Sequence, residues 1–381
     1  MTCNEKINTK KEKPVFFVAN SSWYLWNFRK ETLSDLVRQG QLVICICPDD
    51  LNKSKLENIG VVVKSPKFTS IFFLRIFLWL WHAIYTLSSD RPRVIFSFTT
   101  SANFLFILCG RIFRIPVVPN ISGTGRLARK NRAIRKIFIS AYAILVADSK
   151  LVIFQNKEDM KSFVDVKKSI SHKCHLLHGS GVNLEEFRFA PMSNRQNLKV
   201  AFISRLIPEK GLRDIVRAIL MLDADKIHLV IGGPIDRSGK DPITENELLA
   251  WSEKGNISYL GNVDNVASVI KDCDLVALPS YYGEGVPKIL LEACAVGRPI
   301  LTTDTPGCRV TTSSANGYKV PPKSPTHIAA ALQHFSSLDA NSRGAMGLAS
   351  RKLAESAFDV NINVQFYAAL VDRNLDFTGI S

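Results

Sequence analysis

Several signatures that would each name a function class are missing from this chain. No two of its eight cysteines stand as CxxC, and no histidine cluster has metal-ligand spacing. Cys45 and Cys47 fall in an apolar strand, and Cys109, Cys273 and Cys294 sit in apolar segments, which suits free thiols in a reducing compartment. The polar start MTCNEKINTKKEK has no apolar stretch of the kind a secretory signal needs. The most apolar segment, Ile71 to Leu87, is interrupted by Arg75, and the uncharged remainder, 76–89, is only 14 residues long. A membrane span needs about 20, so a core helix is expected there, with a membrane dock as the alternative. No GxGxxG follows the first apolar strand, Pro14 to Ala19, which argues against a dinucleotide dehydrogenase.

What is present is enough for two globular cores. The chain has 381 residues, with 46% hydrophobic and 22% charged. The formal charge of +15 is unevenly spread. Residues 1–195 hold 30 of the 49 Lys and Arg and 14 of the 34 Asp and Glu, which leaves 19 and 20 for residues 196–381. The densest part is Arg126 to Lys136, RLARKNRAIRK, with six basic residues and no acid. Nucleic acid, anionic lipid and a phosphorylated acceptor could each use such a face, as could plain solvent.

Short apolar strands alternate with helical stretches along nearly the whole chain. This pattern signals a parallel sheet covered on both faces. Strands are expected at Pro14–Ala19, Leu42–Cys47, Val61–Lys64, Val94–Phe98 and Pro116–Pro119 in the first half. In the second they are expected at Leu198–Ile203, Ile227–Ile231, Ile257–Leu260, Leu275–Leu278 and a short stretch closed by Val320. The stretch Gly181 to Asn197 reads as a linker. The expected organisation is a polar leader (1–13), a first Rossmann-like domain (14–190), a second one (191–357) and a C-terminal helix (358–381) crossing back to the first domain. The fold class is α/β, with two doubly wound domains facing across a cleft. Ligands in such sheets bind at the carboxyl ends of strands.

Two constellations carry chemistry. In Pro279 to Arg309, a loop leads through Pro287 into a helix over Lys288 to Val296 that Gly297 ends. The free N–H groups at its start suit an anion, yet Glu284 stands just before it and Glu292 lies about two turns on. A ligand carrying both phosphate and hydroxyls reconciles the two. The second constellation is Phe202 to Gly211, where Arg205 and Lys210 lie in the loop after a strand. Two cations there can clamp a diphosphate, or they can be ordinary solvent-facing charges. His175 and His178 have no third ligand nearby and read as structural.

The set SRLIPEKG (204–211), EGVPKILLE (284–292) and GRPILTTDTPGCR (297–309) resembles the nucleotide-sugar glycosyltransferases of family 4, which have the GT-B fold. ANSSWYLWNFRKETLSDLVRQG, NISGTGR (120–126) and HGSGVNLEEFRFAP (178–191) resemble a subgroup that builds bacterial capsule, O-antigen and N-glycan precursors on lipid carriers. The resemblance implies a retaining hexosyl- or N-acetylhexosaminyltransferase using a nucleotide diphosphate sugar, UDP-linked. It implies no metal and no cofactor, which accords with the lack of a histidine cluster at metal-ligand spacing. By resemblance, Arg205 and Lys210 bind the donor diphosphate and stabilise the leaving nucleotide, and Glu284 contacts the donor sugar. The backbone around Pro287, Lys288 and Ile289 faces sugar and phosphate, and Glu292 holds the ribose. Gly233, Leu260 and Gly261 fall at the base-binding edge. Asn20, Ser21, Arg29, Gly123 and Arg126 are the acceptor-side candidates, although Gly123 can also be read as a turn glycine. Asn20-Ser21-Ser22 stands where the family often has Gly-Gly, and the loop Phe98 to Ala102 lacks a histidine that many members carry.

The implied partners are a nucleotide sugar, a lipid-linked saccharide acceptor and an anionic membrane surface facing the basic half. Nucleic acid is not expected, since the second half is near neutral. The implied location is cytoplasmic, peripheral on the inner face of the plasma membrane. Two other readings stand beside this one: a nucleotide-sugar epimerase on a related two-domain fold, and a basic membrane-binding module without catalysis.

Overall fold

The computed structural model describes residues 13–67, 71–123, 132–195, 197–223, 225–237 and 241–372. Two parallel sheets organise them. The first contains β1 (Val15–Val18), β2 (Val43–Ile46), β3 (Val62–Lys64), β4 (Val94–Ser97), β5 (Val117–Ile121), β6 (Val152–Phe154) and β7 (Cys174–Leu176), in the order β3-β2-β1-β4-β5-β6-β7. The second contains β8 (Leu198–Ile203), β9 (Ile227–Gly232), β10 (Ile257–Tyr259), β11 (Leu275–Leu278), β12 (Ile300–Thr303) and β13 (Gly317–Val320), in the order β10-β9-β8-β11-β12-β13. In both, the strand order reverses beside the first strand of the sheet, which creates a crevice at its carboxyl edge. The expectation of two parallel α/β domains is borne out.

The strands read as continuous apolar runs because both faces are covered. Phe17 packs on one side of the first sheet with Phe96 and Phe98, while Phe16 and Val18 pack on the other with Ile44, Ile46 and Phe106. The sequence reading missed the helices Lys53–Asn58 and Glu245–Ser252, and the second carried a signal. Thr244 caps it, and Glu247 returns the bond to the Thr244 backbone, a T-x-x-E signal legible in the sequence.

The chain returns to the first domain at its end. A π-helical turn, Ala354–Phe358, leads into the helix Val360–Asp372. The Phe358 carbonyl accepts the Val182 N–H at 2.7 Å, and the Val182 carbonyl accepts the Val360 N–H at 3.0 Å, so the outgoing and returning strands are stitched together. Tyr367 then inserts among Phe17, Phe96 and Phe98, with ring centroids 5.1–6.0 Å apart, and the Asn120 carboxamide donates to its hydroxyl at 3.2 Å.

The core-helix expectation for 71–87 is corrected. The helix Phe72–Asp90 buries only Ala83, Thr86 and Leu87 fully, while Phe73, Phe77, Trp81 and Tyr85 stand exposed at 81, 58, 64 and 60%. A helix apolar all round can cover a sheet with one face only, and among the described residues nothing lies on the other. No helix among the described residues is long and apolar enough to cross a membrane.

Because Tyr367 fills the first domain's core from the far end of the chain, Tyr367→Ala is expected to cost about 3–5 kcal/mol in that domain. Urea denaturation followed by the near-ultraviolet signal should show the first transition moving to lower denaturant. An unmoved midpoint would mean the returning helix is not part of the core.

Candidate active site

The loop after β8 runs Ser204 to Gly211, closed by a 3-10 turn at Pro208–Lys210. This turn aims the Lys210 ammonium across to the loop after β11, where it meets the Glu284 carboxylate at 2.5 Å. Both side chains are largely buried. The Ser280 hydroxyl donates to the other Glu284 oxygen at 2.7 Å, so the carboxylate is held from two sides. Arg205 points elsewhere: its guanidinium pairs with Asp236 at 3.0 Å and remains half exposed. The two cations of one loop are therefore held by carboxylates from two other carboxyl-edge loops.

Behind Glu284, Pro287 is the N-cap of the buried helix Lys288–Val296, and Gly297 ends it with a positive φ of 81°. Glu292 is buried on this helix, 3.5 Å from the Lys288 ammonium. Burial pushes the Glu292 carboxyl above its ordinary range, and Lys288 partly opposes the rise. Lys288 also donates to the Asn27 carbonyl of the first domain at 2.8 Å. Lys288 and Glu292 line an interdomain cavity of about 900 Å³ with Trp23, Trp26 and Val263. Gly233 and Gly261 are joined by a backbone bond of 2.7 Å, and Leu260 beside them is half exposed. Gly233 lies so near the Ser204 backbone that an added Cβ would sit 2.8 Å from its carbonyl carbon.

The first domain presses directly on the Glu284 loop. Gly123, at φ +94°, leaves no room for a side chain: a Cβ there would lie 2.5 Å from the Glu284 carbonyl carbon and 2.7 Å from the Gly285 nitrogen. Both the turn and the close approach require glycine. The buried Gln155 accepts the Val286 N–H at 3.0 Å. Arg309 reaches Glu158 of the first domain at 2.5 Å and Asp304 at 2.6 Å.

The acceptor-side candidates scatter. Ser21 accepts the Tyr24 N–H at 3.2 Å and so caps the helix Ser22–Arg38. Arg29 is a correction, since it does not reach the cleft surface. It is 1% exposed, stacked over Phe98 at 4.5 Å and Tyr367 at 5.5 Å. The apolar face of its helix carries it into the core, where the rings take the cation. Asn20 stands exposed at the end of β1. Arg126 lies outside the described residues. The sequence reading missed Asp236, Ser280, Gln155 and Asn27. Asp236 closely follows Gly232-Gly233-Pro234 at a strand's carboxyl end, which was an available signal; the other three carry none.

Glu292 is a group whose protonated form this fold favours. The wild-type chain accordingly loses stability as pH rises from the ordinary glutamate range toward neutrality. Glu292→Gln removes that loss. The ligand-free variant should melt with the wild type at about pH 4 and above it at about pH 7, by differential scanning fluorimetry. A pH-independent difference would contradict the assignment.

Comparison with known proteins accords with this geometry. Residues 183–353 match the family model described as glycosyl transferases group 1. The chain is 24% identical over 383 residues, 94% of this chain and 98% of the other, to the N,N'-diacetylbacillosaminyl-diphospho-undecaprenol alpha-1,3-N-acetylgalactosaminyltransferase of Campylobacter jejuni. A putative colanic acid biosynthesis glycosyltransferase of Salmonella typhimurium is 28% identical over 184 residues, 45% of each chain. Among solved structures, HepE of Anabaena in complex with UDP and glucose superposes with a TM-score of 0.78 at 16% identity, over 95% of this chain and 100% of that one. WaaG, a glycosyltransferase involved in lipopolysaccharide biosynthesis, gives 0.67 at 15% identity, over 96% and 100%. The second domain thus resembles the group 1 glycosyl transferases, and the whole chain has the two-domain GT-B fold of the solved glycosyltransferases on which it superposes.

Proposed function

We propose that this glycosyltransferase moves a hexose or N-acetylhexosamine, with retention, from a UDP-sugar to a lipid-linked saccharide acceptor in surface glycan synthesis. The observation that carries the reading is the Lys210–Glu284 pair, largely buried at the mouth of a helix and pressed by the first domain's Gly123 loop. Without a donor, the ammonium and the carboxylate satisfy each other. With the donor bound, the diphosphate takes Lys210 and a sugar hydroxyl donates to Glu284. Arg205 exchanges Asp236 for the same diphosphate, and Glu292 accepts from the ribose hydroxyls.

As the bond from sugar C1 to the phosphate oxygen breaks, negative charge grows on the leaving nucleotide, where the two cations stand. The acceptor hydroxyl attacks from the same face. Its oxygen forms the new bond to C1, and its proton passes to the departing phosphate. Support for the acceptor class comes from the Campylobacter relative, whose name specifies an undecaprenol diphosphate carrier. Support for UDP comes from the Anabaena complex.

A peripheral site on the inner membrane face fits the exposed apolar residues of the helix Phe72–Asp90. The helix Arg132–Val146, which packs on Thr100–Phe113 as Phe72–Asp90 does, adds exposed Ile134, Lys136 and Ile137. Basic residues near anionic lipid contribute about 1 kcal/mol each.

The test is incubation with a panel of UDP-sugars and an undecaprenyl-diphosphate-linked saccharide. Product should form, and Lys210→Ala and Glu284→Ala should each lower kcat by about 10²–10³-fold. Full activity in both variants would remove these residues from the mechanism. Nucleotide release without acceptor or glycosidic product would favour an epimerase.

A further inference from the structure

The first domain meets the Glu284 loop through more than the Gly123 turn. Gln155 directly follows β6 and is buried. The Val286 N–H can only donate, so the Gln155 carboxamide turns its oxygen toward it, at 3.0 Å. Its nitrogen then faces the Asn120 carboxamide oxygen at 3.5 Å, and the Asn120 nitrogen donates to the Tyr367 hydroxyl at 3.2 Å. Asn120 and Tyr367 are buried as well. A continuous line of polar groups thus runs from the returning C-terminal helix, through β5 and the end of β6, to the residue two positions past Glu284.

The base of this line is anchored. Asn156, next to Gln155, is fully buried and caps the helix Lys157–Val166, accepting the Asp159 N–H and donating to the Asp159 carboxylate, both at 2.8 Å. In the first turn of the same helix, Glu158 holds Arg309. The other end is constrained too. A trans peptide points its N–H and its carbonyl in opposite directions. With the Val286 N–H turned to Gln155, the Gly285 carbonyl faces Gly307, where an added Cβ would lie 2.6 Å from the Gly285 carbonyl carbon. On the near side, a Cβ on Gly285 would lie 2.8 Å from the Gln155 carboxamide carbon. The peptide between Gly285 and Val286 is therefore held from both domains.

That peptide matters because of what the donor displaces. At rest the Glu284 carboxylate is held by Lys210 and Ser280. Once a diphosphate takes Lys210, the aim of the carboxylate rests on Ser280 and on the backbone to either side. The Glu284 N–H donates to the Tyr282 carbonyl at 2.8 Å on one side, and Gln155 holds Val286 on the other. We propose that Gln155 is a positioning residue for sugar transfer: from the first domain it fixes the Gly285–Val286 peptide, and through it the Glu284 carboxylate beside the donor sugar. The proposal rests on the transferase reading and adds to it a residue that acts through Val286. Its effect falls on turnover, since nucleotide binding relies on Arg205, Lys210 and Glu292.

The test pairs kinetics with amide hydrogen exchange on the full chain. Gln155→Met keeps the volume and removes the carboxamide. It should lower kcat by about 10–100-fold, with the KM for the UDP-sugar and the dissociation constant of UDP each within about threefold of wild type. Gln155→Glu keeps an oxygen for the Val286 N–H, and its kcat should stay within about threefold of wild type. Exchange in the peptide 284–289, read by mass spectrometry without any substrate, should speed up about tenfold in Gln155→Met and not in Gln155→Glu. Unchanged kcat or unchanged exchange in Gln155→Met overturns the proposal. A loss of UDP affinity in step with kcat also overturns it, because that marks a contact that only holds the fold. Equal losses in the Met and Glu variants do the same, since the oxygen is then not what acts. A wild-type chain that transfers no sugar would defeat the transferase reading, while the exchange measurement still decides whether Gln155 sets this peptide.

Discussion

The Lys210–Glu284 ion pair is the contact on which the rest of the site depends. Two opposite charges, largely removed from water, are stable only while paired or while each has a better partner. That condition links three separate loops. The turn at Pro208–Lys210 must hold the ammonium inward, Ser280 must hold the carboxylate from the other side, and Gly123 must let the first domain close over both. A ligand with a diphosphate and hydroxyls is the kind of molecule that can take both partners at once. The resting pair keeps the site charged and preorganised without leaving either group unsatisfied.

Among the described residues, the loops around this pair make polar contacts with the first domain. Gln155 to Val286, Lys288 to Asn27 and Arg309 to Glu158 bridge the two domains. Hydrogen bonds and half-exposed ion pairs of this sort are individually modest. Among the described residues, an extensive apolar link is the helix Val360–Asp372, far along the chain, which fastens the second domain to the first domain's core through Tyr367. The molecule thus has a hydrophobic tether and a polar closure. This division allows the cleft to admit a ligand without the domains losing their connection.

The two halves also divide their surface chemistry. The second domain is near neutral and presents its charges as matched pairs at the strand ends, whereas the first carries the excess positive charge and an uncovered apolar helix face. Discrimination among small polar donors needs fixed geometry, which paired and buried groups provide.

The second domain was largely legible from residue order. Its strands are apolar runs bounded by glycine and proline, and its site residues lie within a few positions of strand ends, so local sequence already specified where Arg205, Lys210, Glu284 and Glu292 stand. The helix Glu245–Ser252 was legible too, through its capping box. What residue order left open was how side chains from different loops meet. Asp236 and Glu284 divide the two cations of one loop, and Gln155 reaches Val286 across 131 positions. The same holds for burial. Arg29 looks like a cleft cation by composition but is drawn under Phe98 and Tyr367, and the run 71–87 looks like core but, among the described residues, has nothing packed on its outer face. A sequence pattern records how apolar a residue is and where its helix turns. Which apolar face finds a partner depends on the whole packing, and only the tertiary structure decided that.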